Sequence, residues 1–145
     1  RYGTECAVHN FPQTAKELSA PALHLPLPRL RALSPEERAA FPALGASCHS
    51  LEDVLAAAEL GCSYGTLGHI FPTGCKPGLP PRGVELLAQV CQASPLPVYA
   101  IGGVGPGNIA QVRQAGAAGA CVMSGFMTAP DPARLVGQLR KEAEL

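Results

Sequence analysis

The chain has 145 residues, and its 11 basic and 11 acidic side chains give a formal net charge of zero. This length is typical of one domain with a core of its own. A balanced charge without basic blocks offers no electrostatic footprint for nucleic acid, and no apolar run reaches the length of a membrane span. The first residues lack the basic start and apolar run of a signal peptide, so we expect a cytoplasmic protein.

Short apolar runs and helical stretches alternate along the chain. The runs predict strands at 6–8, 22–25, 44–48, 64–68, 98–101 and 120–123. Most lack clean alternation, which is typical of parallel strands covered on both faces. Helices are predicted at 12–18, from 35 after an N-cap serine, at 54–60 after a second cap, at 83–93, at 108–115 with Asn108 as its cap, and at 131–144.

Strand–helix units in a row without hairpins predict a parallel sheet. An open doubly wound sheet and a (β/α)8 barrel both satisfy this rule. Units of about two dozen residues are typical of a compact barrel, although a complete barrel needs at least about 200 residues. If the chain is a barrel, two units are missing in front of its first strand.

The six cysteines form no C-x-x-C pair, which argues against a metal cluster or a disulfide framework. They are Cys6, Cys48, Cys62, Cys75, Cys91 and Cys121. We expect most of them to be small buried apolar residues. Cys75 differs because it lies in a polar loop.

That loop, at 65–76, follows the fourth predicted strand and contains His69, Cys75 and Lys76. A histidine at the end of a strand can transfer protons at neutral pH. Glycine has no side chain to cover its backbone N–H group. A lysine close to such accessible N–H groups suits an anionic ligand. The loop is therefore a candidate site, with a surface turn as the alternative interpretation.

Two glycine-containing corners close the last two predicted strands, at 100–104 and 122–125. Barrels commonly bind phosphate with the loops after their last two strands and a following helix N-terminus. Backbone N–H groups of Gly103, Met123 and Ser124 would supply the donors. The spacing of the glycines from Gly103 to Gly107 does not fit G-x-G-x-x-G, so a dinucleotide site is not predicted.

The motifs at 45–53, 68–78, 100–103 and 122–125 stand in the order found in the thiamine phosphate synthase and thiazole tautomerase (TenI) superfamily. The resemblance runs from about His9 to Met127. It implies a TIM (β/α)8 barrel of the thiamine phosphate synthase type. Residues 1–145 would then be a single partial barrel domain with about six βα units present and the first two absent.

Two branches of this superfamily differ at the motifs. Synthases typically carry a proline where this chain has His69, and Thr-x-Thr-Lys where it has Thr73-Gly74-Cys75-Lys76. They also hold magnesium with aspartates after their third and fourth strands. The matching places here are Asn10 and the run 24–28, which contain no carboxylate. The resemblance is therefore to the thiazole tautomerase (TenI) branch.

The activity implied is the cofactor-free isomerisation of a dihydrothiazole carboxylate phosphate to the aromatic thiazole carboxylate phosphate in thiamine biosynthesis. His69 would be the catalytic proton shuttle. Thr73, Gly74, Cys75 and Lys76 would line the thiazole, and Gly103, Met123 and Ser124 would hold its phosphate. No metal or cofactor is expected. The expected partners are a thiazole phosphate and, to cover the open sheet, a second copy of the chain or another partner.

Two alternatives stay open. The first is a thiamine phosphate synthase, which joins a pyrimidine pyrophosphate to a thiazole phosphate, without the usual magnesium ligands. The second is a non-catalytic or regulatory relative that binds a phosphate ligand.

Overall fold

The computed structural model describes residues 3–144, which form one parallel sheet flanked by helices. The six strands are β1 (Ala7–His9), β2 (Ala22–Pro26), β3 (Ala43–Cys48), β4 (Tyr64–Gly68), β5 (Val98–Ile101) and β6 (Gly119–Cys121). Each strand pairs in parallel with the next one in the chain, in the order β1-β2-β3-β4-β5-β6. All strand ends that lead into helices therefore meet at one edge, here called the carboxyl rim.

Eight helices connect and flank the strands within the described residues. They are α1 (Pro12–Glu17), α2 (Leu27–Ala32), α3 (Pro35–Ala39), α4 (Leu51–Glu59), α5 (Gly83–Ala93), α6 (Ile109–Gln114), α7 (Ser124–Thr128) and α8 (Pro132–Ala143). No helix among residues 3–144 is long and apolar enough to cross a membrane.

Local capping starts three of these helices. The Ser34 side chain accepts from the Glu37 N–H while the Glu37 carboxylate accepts from the Ser34 N–H, which is a complete capping box. Ser50 accepts from the Asp53 N–H at the start of α4. Asp131 caps α8 in the same way. Each cap satisfies backbone donors that the first helical turn cannot pair.

The helices pack on one face of the sheet and form the core there. Buried strand residues such as Leu23, Ala46 and Leu67 contribute to a cluster with helix residues such as Val54 and Leu87. Successive side chains of a strand point to opposite faces. The expected covering of both faces is therefore absent among the described residues.

The other face carries polar and aromatic side chains. His24 of β2 and Tyr64 of β4 meet across β3, with 3.2 Å between Nδ1 and the hydroxyl. They cross over Gly45, where a Cβ would lie 2.2 Å from the Tyr64 ring. Only glycine leaves room for this contact. Tyr99 packs edge-on against Tyr64.

The elements match the predicted order, with differences at two places. Helix α2 was not predicted. It starts directly after β2, and Pro28 lies in its first turn, where the missing N–H costs nothing. Strand β6 ends at Cys121, and the predicted corner 122–125 runs into α7.

The barrel prediction is confirmed as far as the described residues extend. Six parallel strands form half of a barrel-type sheet, with β1 and β6 at its edges. The described residues do not close the barrel.

Candidate functional site

A cavity of about 240 Å³ opens at the carboxyl rim, between the ends of β3, β4, β5 and β6. It brings together residues from the two sequence regions that were predicted to bind ligand. The predicted site residues that line it are His69, Thr73, Cys75, Lys76, Gly103, Met123 and Ser124. Gly74 lies in the same loop but is exposed and does not line the cavity.

His69 lies directly after β4 and is half-buried at the wall of this cavity. Its Nε2 lies 3.3 Å from the carbonyl of Leu79. Gly102 packs against it so closely that a Cβ at residue 102 would lie 2.3 Å from the His69 Cβ. Contacts on two sides thus hold the imidazole in place.

The segment from Gly68 to Phe71, here called the β4 exit segment, is hydrogen-bonded along both edges. The Arg82 side chain donates from Nε to the Gly68 carbonyl at 2.8 Å, and the Arg82 N–H donates to the His69 carbonyl at 2.9 Å. On the other edge, the N–H groups of Ile70 and Phe71 donate to Ile101 and Gly102, both at 3.0 Å. The exit segment is therefore tied to α5 and to the end of β5.

His49 also contacts this segment. Its Nδ1 lies 2.9 Å from the Gly68 carbonyl. The Asp53 carboxylate accepts from the His49 N–H at 2.8 Å and so fixes the backbone of that residue. His49 lines the cavity while it supports the exit segment.

The loop that carries Lys76 is turned by Thr73. The Thr73 hydroxyl accepts from the Cys75 N–H at 3.3 Å, and its carbonyl accepts from the Lys76 N–H at 3.1 Å. Cys75 and Lys76 are exposed at the mouth of the cavity. The ammonium is thus placed where an anionic ligand would enter.

The glycine corner after β5 has a different physical cause from the one predicted. Gly102 and Gly103 have φ values of 95° and 68°, which disfavour other residues. A Cβ at Gly103 would lie 2.5 Å from the Pro72 carbonyl oxygen. The glycines admit the β4 exit segment and Pro72, in addition to leaving the cavity side open.

Asn108 stands at the N-cap position of α6 as predicted, but its side chain does not cap the helix because it turns back to the glycine corner. Its amide donates to the Gly103 carbonyl at 2.9 Å, and its carbonyl oxygen accepts from the Gly105 N–H at 2.9 Å. The α6 N-terminus has no side-chain cap. Asn108 thus holds the corner that lines the cavity.

The donors predicted for a phosphate remain available. Among the backbone hydrogen bonds formed outside helices and strands in residues 3–144, none uses the N–H of Gly103, Met123 or Ser124 as donor. These groups border the cavity and could donate to phosphate oxygens.

A cluster of polar side chains beneath the cavity was not predicted. Ser47 and Thr66 line the cavity, and their hydroxyls lie 2.9 Å and 3.5 Å from His24 Nε2. Burial, and secondarily the charge of nearby His9, lowers the pKa of His24 to about 4. The imidazole is therefore neutral at physiological pH. The only signal in the sequence was a histidine inside an apolar strand.

The thiols follow the sequence prediction in part. Cys48 and Cys62 are buried, whereas Cys6 and Cys75 are exposed. Burial raises the pKa of Cys48 to about 12 and that of Cys62 to about 11. These two are protonated, unreactive core residues.

The donor set does not fit the magnesium site that the synthase branch implies. Residues 3–144 contain no group of three or more His, Cys, Asp or Glu side chains able to hold a metal ion. At the end of β1, the Asn10 side-chain oxygen accepts from Arg29 at 2.8 Å. A hard cation requires several oxygen ligands, and here a guanidinium occupies the one that is present.

The fold and the rim cavity define a parallel α/β protein with a cavity at the carboxyl ends of its strands. The family profile described as thiamine monophosphate synthase (TMP-TENI) matches residues 1–126. The chain belongs to this family.

Individual relatives support the same family assignment. The thiamine-phosphate synthase of Thermus thermophilus is 36% identical over 144 residues, which cover 97% of this chain and 68% of the relative. That of a Roseiflexus species is 35% identical over 136 residues, or 90% of this chain and 56% of the relative. The solved thiamine phosphate pyrophosphorylase of Pyrococcus furiosus has a TM-score of 0.81 and 30% identity, covering 95% of this chain and 66% of that one.

These relatives overturn the tautomerase prediction. The superfamily was identified correctly, but the assignment to an isomerase of the TenI branch is wrong, because the relatives at 35–36% identity bear the name thiamine-phosphate synthase. The differences at His69, at 73–76 and at the magnesium positions misled the assignment, because these few positions were weighed more heavily than the identity over the whole chain.

Proposed function

We propose that this chain forms the phosphate-binding part of a thiamine-phosphate synthase, a transferase that joins a pyrimidine diphosphate to a thiazole phosphate. The proposal rests mainly on the rim cavity, where the Lys76 loop faces free N–H groups of the glycine corners. The printed names of its relatives support the same reaction. The described strands would be part of a complete (β/α)8 barrel.

In this reaction a carbon–nitrogen bond forms between pyrimidine and thiazole while the carbon–oxygen bond to diphosphate breaks. The electron pair of the broken bond leaves with the diphosphate. The protein must hold two anionic substrates in line and stabilise the charge that develops on the leaving group. A cavity lined by backbone donors and a lysine suits this task.

We assign the thiazole phosphate to the glycine corners, through the N–H groups of Gly103, Met123 and Ser124. Thr73, Cys75 and Lys76 form the facing wall, with the ammonium directed to an anionic group of either substrate. Gly74 lies in the turn of that loop, between Thr73 and Cys75. His69 is proposed as a wall residue that orients the thiazole ring.

The test is a coupling assay in which the purified chain is given pyrimidine diphosphate and thiazole phosphate, with thiamine phosphate measured as product. We expect Lys76→Ala to lower kcat/KM at least about tenfold, because it removes a charge-assisted contact to an anion. The control is Lys141→Ala, an exposed lysine of α8 far along the chain.

If the chain neither gives product nor binds thiazole phosphate, the proposal is overturned. Binding of thiazole phosphate without turnover would instead favour the non-catalytic relative. Cytoplasmic location and association with a second copy stay predictions.

A further inference from the structure

Arg29 extends from α2 toward the end of β1. Its Nη1 donates to the Asn10 side-chain oxygen at 2.8 Å and to the Asn10 carbonyl at 3.1 Å. Asn10 is itself fixed, because its N–H donates to the His24 carbonyl at 2.9 Å and its backbone has a φ of 71°. The guanidinium is therefore exposed but held in a defined place.

This place belongs to the same rim as the cavity. In the register of β2 with β3, Pro26 pairs with Ser47, which lines the cavity. Helix α2 starts at the next residue, Leu27. Adjacent strands lie about 4.8 Å apart, so α2 begins one strand away from the cavity wall.

Both acceptors of Arg29 are neutral oxygens, so they position the guanidinium without cancelling its charge. Both bonds also leave from Nη1. These two bonds do not use the edge of the guanidinium formed by Nε and Nη2. This edge can donate two parallel hydrogen bonds to two oxygens of a phosphate. In contrast, residues 3–144 contain no group of three or more His, Cys, Asp or Glu side chains able to hold a metal ion.

We propose that Arg29, positioned by Asn10, binds the diphosphate group of a substrate at the β1–β2 end of the rim and replaces a divalent cation there. The inference rests on the proposed function, because it concerns the diphosphate substrate of that reaction. It departs from the magnesium site that the family resemblance implies.

The probe is inorganic pyrophosphate, titrated calorimetrically into the protein in the presence of EDTA. We expect measurable binding without metal, weakened at least about tenfold by Arg29→Ala, the loss expected for a charge-assisted hydrogen bond. Arg31→Ala is the matched control, since Arg31 is an exposed arginine of the same helix. Inorganic phosphate, which we assign to the glycine corners, should bind equally to both variants.

Asn10→Asp provides a second variant that keeps the side-chain shape. Its carboxylate would pair with Arg29 and reduce the metal-free affinity for pyrophosphate. Unchanged binding in Arg29→Ala, or binding by the native protein only when magnesium is present, would overturn the inference. Loss of the coupling reaction with intact Arg29-dependent pyrophosphate binding would overturn the proposed function alone.

Discussion

Gly102 is a residue at which two elements lining the cavity pack closely together. A Cβ there would lie 2.3 Å from the Cβ and 2.7 Å from the Cα of His69. The position also has a φ of 95°, so an L side chain is strained whatever the space. Ligand access is thus only part of the reason for the Gly102-Gly103 pair.

Gly102→Ala should lower the free energy of unfolding by more than about 2 kcal/mol, because backbone strain and steric overlap add. The measurement is chemical denaturation monitored by circular dichroism. Gly105→Ala is the control, since a Cβ at Gly105 meets no atom within 4 Å. Equal stability of the two variants would contradict the packing described for His69.

At the level of single residues, the sequence identified which residues line the site better than it identified the contacts that they make. Seven of the eight predicted site residues line the cavity, because residues that follow neighbouring parallel strands necessarily meet at one rim. The side-chain contact of Asn108 was not predicted, because a residue that caps a helix and a residue that binds the preceding loop have the same local sequence pattern. Which contact forms depends on where the glycine corner lies.

The β4 exit segment is the element on which the geometry of the site depends. Its carbonyl groups accept hydrogen bonds from Arg82 and Gly83 at the start of α5, and its N–H groups donate to the end of β5. The segment, which carries His69 and leads into the Lys76 loop, is therefore fixed by residues outside both predicted motifs.

Arg82→Ala should loosen this segment locally. Loss of the bond from Nε to the Gly68 carbonyl removes about 1 kcal/mol of local stability, which corresponds to about fivefold faster amide hydrogen exchange at Ile70 and Phe71. Arg134→Ala on α8 serves as the control, because that side chain is exposed and distant in sequence. Unaltered exchange at both amides would show that the β5 contacts alone hold the segment.

Helices and strands were predicted where their signals are local. The caps at Ser34 and Ser50 involve residues three positions apart, so the sequence contains both partners. Helix α2 was missed because prolines at 26 and 28 resemble a stop, although a proline in a first helical turn is well tolerated.

At the scale of the whole molecule, the His24 cluster joins three strands across the sheet. His24 lies on β2, Ser47 on β3, and Tyr64 and Thr66 on β4. Protonation of the imidazole would place a charge in this half-buried cluster, beside His9. The folded state therefore favours the neutral ring.

The pKa of His24 is about 4 in the folded chain, against 6.5 for an unperturbed histidine. The unfolded chain thus binds the additional proton between these values, and stability falls as the pH drops from 6.5 to about 4. After allowance for solvent screening, the loss attributable to His24 is about 2 kcal/mol.

The measurement compares urea denaturation at pH 7 and pH 4.5 for the native chain and for His24→Asn, which does not titrate. The free energy of unfolding should fall further for the native chain than for the variant over this interval. The difference should approach the loss of about 2 kcal/mol attributed to His24. The same loss in both proteins would mean that other groups account for the acid sensitivity.

The sequence by itself determined the strand–helix alternation, the parallel sheet, the helix caps at Ser34 and Ser50, and the two loops that form the cavity. These features depend on local periodicity and on the rule that parallel strand ends share one rim. The tertiary structure alone decided that His24 reaches Tyr64, 40 residues away, across Gly45, and that Arg29 contacts Asn10, 19 residues away. Such contacts depend on how distant strands and helices pack together, and no local pattern contains that information.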